Sequence, residues 1–331
     1  MTTALGLMNE TGLAQRLAFA QAANEAAAQS AFADYRSRRA HNTLRRQDAE
    51  LAGFGAYIGA DGLAVNPGAW AGVTWGIVEG YVKHLLVEGY AVGTANNHLS
   101  TIKTYAKLAT KAGTLPTQEL AMIRMVSGYS HKEGQRIDEK REDAGIVTRV
   151  GDKKADFRVL SESQEAALVA QCDGSPQGLR DRAMLVLLLD LGLRVSEAAD
   201  LQADDFGADT GALEVYRRKT DNATTFELRN GKAAALMAYI EAAQPEGQLL
   251  MGSRKGGALV GGMCTRAIRA RVRALGEAAG VPDLAPHDLR HTRATRLAAR
   301  LNVRELMDWF GWNSPAMAAR YIESVQHITV E

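Results

Sequence analysis

The chain has 331 residues, 46% hydrophobic and 23% charged, which is the mix of a soluble globular protein with room for two ordinary domains and excludes a disordered chain. Lys and Arg total 39 against 38 Asp and Glu, so the formal charge of +1 announces no nucleic-acid partner, although a near-zero total can conceal a local basic patch. Cys172 and Cys264 are too few for a disulfide framework and have no zinc spacing. The longest apolar stretch, Ala183 to Leu193, is broken by Asp190 and falls short of the about 20 residues a bilayer needs. Met1 to Asn9 lacks the pattern of a secretory signal. A cytoplasmic protein with no membrane partner is expected.

From Thr11 to Arg39 the sequence is rich in Ala and Gln and reads as a weakly amphipathic helix, an arm or an interface. Asn42 to Tyr57 carries Leu44, Leu51, Phe54 and Ile58 near helical spacing. A third helix places Val78, Val82, Leu85 and Leu86 on one face. A fourth, Gly93 to Ala109, sets Leu99, Ile102, Tyr105 and Leu108 against Asn96, Asn97, Thr101 and Lys103. These segments predict a small helical bundle. Periodicity then lapses and charge gathers from about residue 130 to 158, as in a linker. The division expected is an arm at 1–40, a helical domain at 41–132, a linker at 133–158 and a second domain at 159–331.

The second domain opens with a helix after Ser161 and a very apolar one from Leu179 to Leu191, stopped by Gly192. Leu213, Val215 and Arg217 alternate with Glu214, Tyr216 and Arg218; a turn at Asp221-Asn222 follows, then Phe226 and Leu228, which predicts a β-hairpin. Helical patterns return at Lys232 to Ala243, Thr265 to Gly280, Asp288 to Leu301, Val303 to Phe310 and Pro315 to Tyr321. The fold class expected is mainly α with a small β-sheet (α+β).

Nine arginines and three acids fall between Thr265 and Arg304. Arg293, Arg296, Arg300 and Arg304 keep three- and four-residue spacing, the mark of a solvated stripe. Arg290 instead shares the phase of Ala294, Leu297 and Leu301, and a guanidinium on that apolar face needs an anion or a carboxylate to offset its desolvation. His287 and His291 are four apart but lack a third ligand, so no metal is expected. Arg194 precedes Ser196, a candidate N-cap. Lys219, at the hairpin, and Tyr321 taken singly read as an exposed lysine and a packing aromatic.

In order, the chain shows Leu191-Gly192-Leu193-Arg194-Val195-Ser196-Glu197, Arg218-Lys219-Thr220, His287-Asp288-Leu289-Arg290-His291-Thr292, Gly311-Trp312 and Tyr321. Together these resemble the tyrosine recombinases, the family of phage integrases, Xer proteins and Cre. The resemblance fills the family's slots with Arg194, Lys219, His287, Arg290, Trp312 and Tyr321. It adds Glu197 as a supporting carboxylate. Asn42-Thr43-Leu44-Arg45 and Ala91-Val92-Gly93-Thr94, followed by Asn96-Asn97-His98-Leu99, look like the family's core-binding bundle. That implies an N-terminal SAM-like DNA-binding domain and a C-terminal catalytic domain, closed as a C-shaped clamp on DNA. Thr43, Arg45, Thr94, Asn97 and Thr101 are the expected DNA contacts. Trp312 stands where integrases and Xer proteins carry histidine, as in Cre, while His287 to Thr295 is closer to the Xer pattern.

The resemblance implies a site-specific recombinase that cuts and rejoins DNA at inverted-repeat sites through a 3′-phosphotyrosyl bond on Tyr321, without metal, ATP or cofactor. Arg194 and Arg290 would hold the phosphate, Lys219 would protonate the leaving 5′-oxygen, and His287 would accept the tyrosine proton or hold the phosphate. The expected partner is double-stranded DNA with paired inverted half-sites, bound by a homotetramer; the free protein can be a monomer, and the location is nucleoid-associated. Residues beyond Tyr321 are expected to dock on a neighbouring protomer. Two other readings stand beside this one: a non-cutting accessory or repressor on the same fold, and a type IB topoisomerase.

Overall fold

Thirty-six residues without a proline wind into the first helix, α1 (Thr2–Ser37). The computed structural model to which it belongs describes residues 2–145, 158–218, 220–254 and 256–325. Spatially the chain divides into two units, residues 1–153 and 154–331.

In the first unit α1 is followed by α2 (His41–Ile58), a 3₁₀ turn at Pro67–Trp70, α3 (Trp75–Val87), α4 (Val92–Lys111), α5 (Thr117–Met125) and α6 (His131–Asp143). The apolar stripes foreseen for α2, α3 and α4 meet in one core around Phe54, Trp70, Tyr81, Ile102 and Tyr105. Two boundaries need correction. The C-terminal end of α1 belongs to the bundle: Phe32 is buried, and Arg36 forks onto Asp48 at 2.5 and 3.1 Å while donating to the Tyr105 hydroxyl at 3.2 Å. The first half of the segment read as a linker is helix α6, started by a Ser130/Glu133 capping box. Its anchor is Arg141, buried and donating to the carbonyls of Leu86 and Tyr90. A charge-rich sequence hides that anchor, because the stem packs while the guanidinium finds carbonyls at the end of α3 and in the loop after it.

The second unit holds α7 (Glu162–Ala170), α8 (Pro176–Leu185), α9 (Val195–Asp200), α10 (Gly231–Ala243), α11 (Thr265–Ala278), α12 (Pro286–Ala298), α13 (Val303–Phe310) and α14 (Pro315–Val325). Strands β1 (Phe206–Gly207), β2 (Ala212–Arg217) and β3 (Asn222–Glu227) form one antiparallel sheet, and β4 (Met251–Ser253) pairs with β5 (Leu259–Gly262) in a second. The hairpin register opposes Leu213 to Phe226 and Arg217 to Asn222, and Asp221 makes the bend at φ 50°. The apolar run after α8 continues as a π-helical turn, Val186–Asp190, before Gly192 reverses the chain at φ 69°. Its Val186 to Leu189 are buried against α8, α9, α10 and α12 in the main core, while Asp190 reaches partly into solvent. Among the described residues the fold is mainly helical, as expected, with two small sheets where one was expected. No helix among them is long and apolar enough to cross a membrane.

Candidate active site

Gly192 delivers the chain into α9 with Arg194 as the N-cap residue, so Ser196 lies in the first turn and is not the cap. The cap is completed by Glu197, whose Oε2 accepts the Arg194 N–H at 2.8 Å while Oε1 takes the Arg194 Nη1 at 2.6 Å. Glu197 is buried, and two further guanidinium groups converge on it: Arg290 Nη1 at 3.8 Å from Oε2 and Arg217 Nη1 at 3.7 Å from Oε1. The carboxylate that Arg290 requires on its apolar face is therefore Glu197. Arg290 also donates to the carbonyls of Gly192 at 2.7 Å and Phe310 at 3.0 Å, which ties α12 to both neighbouring chain reversals.

Arg217 escaped the sequence reading as a site residue. The signal was present: it keeps the phase of Leu213 and Val215 on the inward face of β2. It is 1% exposed, donating from Nη2 to the Trp309 carbonyl at 2.6 Å and from Nε to Thr224 Oγ1 at 3.3 Å, while its Nη1 has no hydrogen-bond partner among the described residues. Three guanidiniums around one carboxylate leave a net positive hub that an anion complements. Burial, with the nearby Arg194 charge, pulls both Arg290 and Arg217 below the ordinary guanidinium range.

Gly311 ends α13 in the left-handed region at φ 58° and turns the chain so that Trp312 lies over Tyr321 from α14. The two rings are parallel within 7° at 5.2 Å, and Phe310 stacks on the other side of Trp312 at 4.7 Å. The Arg290 guanidinium sits 4.9 Å from the Phe310 ring centre and 5.8 Å from that of Trp312. Tyr321 is buried; desolvation raises its hydroxyl pKa, opposed by the charge of Arg290. Its hydroxyl is 2.5 Å from His291 Nδ1. His287 is exposed, and its ring meets that of His291 edge-on at 4.3 Å. Desolvation, then the Arg290 charge, lower the pKa of His287; desolvation, then His287, bring His291 down to about 4.

Arg194, Glu197 and Arg290 are thus drawn together, and Trp312 and Tyr321 join them through the Phe310 stack. Lys219 lies outside the described residues, as does the tail from Gln326 to Glu331. The arginine stripe is only partly solvated, since Arg296 pairs with Glu165 at 2.5 Å. Of the expected DNA contacts, Arg45 and Asn97 are exposed and Thr43 and Thr94 half-buried. Thr101 is corrected: it is buried and donates to Glu50 Oε2 at 2.6 Å, a carboxylate that also receives Arg46, so its hydroxyl is spent inside the bundle. Within the first unit, α1 and α4 also border a groove of about 1110 Å³ with Arg38, Arg39, Lys107 and Lys111 along it. That is a local basic surface which the total charge concealed.

Residues 158–327 match the model of the phage integrase family. The tyrosine recombinase XerC of Rhodospirillum centenum is 26% identical over 293 residues, spanning 85% of this chain and 77% of its own. XerD of Neisseria meningitidis serogroup B is 31% identical over 160 residues, 46% of this chain and 54% of its own. Two solved structures share the fold. A lambda integrase dimer bound to a COC′ core site superposes with a TM-score of 0.62 at 15% identity, covering 91% of this chain and 95% of that one. The Tn1549 transposon integrase in complex with transposon right-end DNA gives 0.63 at 16% identity, covering 89% and 94%. The chain belongs to the phage integrase family, and its activity is DNA strand cleavage and rejoining by site-specific tyrosine recombination.

Proposed function

We propose that Tyr321 attacks a DNA phosphodiester and holds the cut end as a 3′-phosphotyrosine, releasing a 5′-hydroxyl that is free to rejoin. The observation that carries this reading is the hub of Arg194, Arg290 and Arg217 on Glu197, next to the ring stack that ends in Tyr321. The pentacoordinate transition state places negative charge on two non-bridging oxygens, and the guanidinium forks of Arg194 and Arg290 meet it with paired donors. Glu197 holds Arg194 and Arg290 in place. Trp312 braces the nucleophile by stacking, and its indole N–H is the one polar group it has to offer. Lys219 gives a proton to the departing 5′-oxygen. His287, at the exposed edge next to Arg290, binds the phosphate. The ester bond conserved in the phosphotyrosyl link makes ATP unnecessary.

Two duplexes exchange four strands and each chain has one Tyr321, so the working assembly is a tetramer on paired inverted half-sites. Thr43, Arg45, Thr94 and Asn97 from the first unit contact the duplex, with the residues beyond Tyr321 docking on a neighbouring protomer. The enzyme works in the cytoplasm, on the nucleoid.

The test is chromatin capture with Tyr321→Phe, which keeps the ring and removes the nucleophilic oxygen. The variant should bind and enrich a defined sequence without forming a covalent adduct, whereas the wild-type chain forms one on the recovered duplex. An adduct that persists in the variant would remove Tyr321 from the role. Lys219→Ala should cut a normal phosphodiester slowly but be rescued by a 5′-bridging phosphorothiolate, whose thiolate leaves without a proton.

A further inference from the structure

An indole occupies the position beside the nucleophile, and it has a donor but no acceptor, so Trp312 cannot take the proton that Tyr321 must shed. His287 lies at the solvent edge with its ring on His291. The hydroxyl of Tyr321 instead points at Nδ1 of His291, 2.5 Å away, on a residue that is 7% exposed and fixed in the buried face of α12 beside Arg290. We infer that His291 is the catalytic base that receives the phenolic proton of Tyr321 during strand cleavage and returns it on rejoining. The inference rests on the phosphotyrosyl reading above.

The step balances within that reading. The proton passes from Tyr321 Oη to His291 Nδ1, the freed oxygen pair forms the bond to phosphorus, and the bond from phosphorus to the 5′-oxygen breaks as that oxygen takes a proton from Lys219. Resealing runs the same path in reverse. The groups facing His291 are His287, Asp288 and Arg290 from its own helix and Arg320 from α14. In the free enzyme this surrounding keeps the imidazole neutral, and hence ready to accept. It also makes the imidazole a weak base. A phosphodiester seated on the arginine hub adds a negative charge that strengthens it, and the phenol loses its hold on the proton as its oxygen bonds to phosphorus. The proton therefore moves late, with the bond to phosphorus well advanced.

The test uses the full chain and a nicked duplex of the sequence selected by binding from a randomised pool, with adduct formation followed in a single turnover. Absence of an adduct with wild-type protein would overturn the phosphotyrosyl reading itself, which keeps the two failures apart. His291→Asn keeps a hydrogen-bonding group near the place of Nδ1 but removes its basicity. It should leave melting temperature and duplex binding unchanged and slow adduct formation by roughly 10²- to 10⁴-fold. Replacing Tyr321 by a trifluorotyrosine, which ionises far more readily, should restore most of that loss in the Asn background. Cleavage by His291→Asn within about threefold of wild type, or a loss that fluorination does not relieve, overturns the inference. So does a fluorination rescue that appears in His287→Asn instead. Should the Asn variant fold poorly, His291→Ala supplemented with free imidazole gives the same decision: restored cleavage supports the base, and no restoration refutes it.

Discussion

Glu197→Gln removes one charge and no volume from the point where three guanidiniums meet. Arg194 lies 2.6 Å from the carboxylate, Arg217 3.7 Å and Arg290 3.8 Å, and the side chains of Arg217, Arg290 and Glu197 are at most 6% exposed. A pair of charges about 4 Å apart is worth about 4 kcal/mol of gross attraction at an effective dielectric of about 20. Most of that gross attraction offsets the desolvation of the ions and does not appear as net stability. The variant, however, leaves the desolvation in place and removes the attraction, so the expected loss is that of breaking a buried pair, about 3–5 kcal/mol. For a unit of this size that loss corresponds to a fall in melting temperature of roughly 6–20 °C. Scanning calorimetry of the full chain separates this from any change in the first unit, and the transition that moves should be that of residues 154–331. Added duplex or inorganic phosphate should recover part of the loss in the variant and less in wild type, because an external anion then neutralises the exposed hub. A variant whose melting temperature stays within about 2 °C of wild type would show that the arginines do not depend on Glu197, and the argument from the hub would fail.

Gly192→Ala should destabilise by about 1–3 kcal/mol in chemical denaturation; the position has φ 69° and an added Cβ would lie 2.7 Å from Phe310 Cε1, so an unchanged unfolding midpoint would contradict the packing described. Thr101→Val should cost about 1–3 kcal/mol by stripping a donor from buried Glu50, while the sequence selected from a randomised duplex pool stays the same. A changed selection would return Thr101 to the DNA contacts. Stability should also fall with acid: His291 has a folded pKa of about 4 against an ordinary 6.5, so between about pH 6.5 and 4 the unfolded chain takes up a proton there that the folded chain does not, and stability drops across that window by up to about 3 kcal/mol. Urea unfolding of wild type and His291→Asn across that range should show the acid limb shallower in the variant; parallel curves would contradict it.

Most helices of both units, α5 excepted, were legible because their apolar residues repeat at helical spacing, and the hairpin because its residues alternate. The elements missed have no such signal. Nine of the thirteen residues of helix α6 are charged, and its buried Arg141 finds its partners in the carbonyls of Leu86 on α3 and Tyr90 in the loop after it. Strands β4 and β5 are too short for a period to show, and the π turn is an apolar run like any other. At the site, the phase of Arg290 forecast a buried guanidinium that needs a carboxylate, and the same logic applied to Arg217 would have found the third member of the hub. The exchange of His287 for His291 as the partner of Tyr321 had no sequence cue, because it depends on how far α14 is rotated against α12. Thr101 looked like surface for the opposite reason: a hydroxyl on the polar side of a helix becomes interior once a carboxylate from another helix reaches it.

The helix that carries Arg290 faces two separate interiors. Leu289 belongs to the main core, whereas Ala294, Leu297 and Ala298 join Leu306, Phe310, Trp312, Ala318 and Tyr321 in a smaller cluster of their own. Trp309 bridges the two, with its indole N–H on the Leu191 carbonyl and its own carbonyl taking Arg217. Energetically this places Tyr321 in a satellite that can open apart from the main core, with α13 held to the arginines through the Trp309 and Phe310 carbonyls and α14, among the described residues, free of such ties to Arg217. Amide exchange along α13 and α14 should accordingly run ahead of exchange along α8. Loosening α14 alone would then move Tyr321 while Arg217 and Arg290 keep the carbonyls of Trp309 and Phe310 on α13.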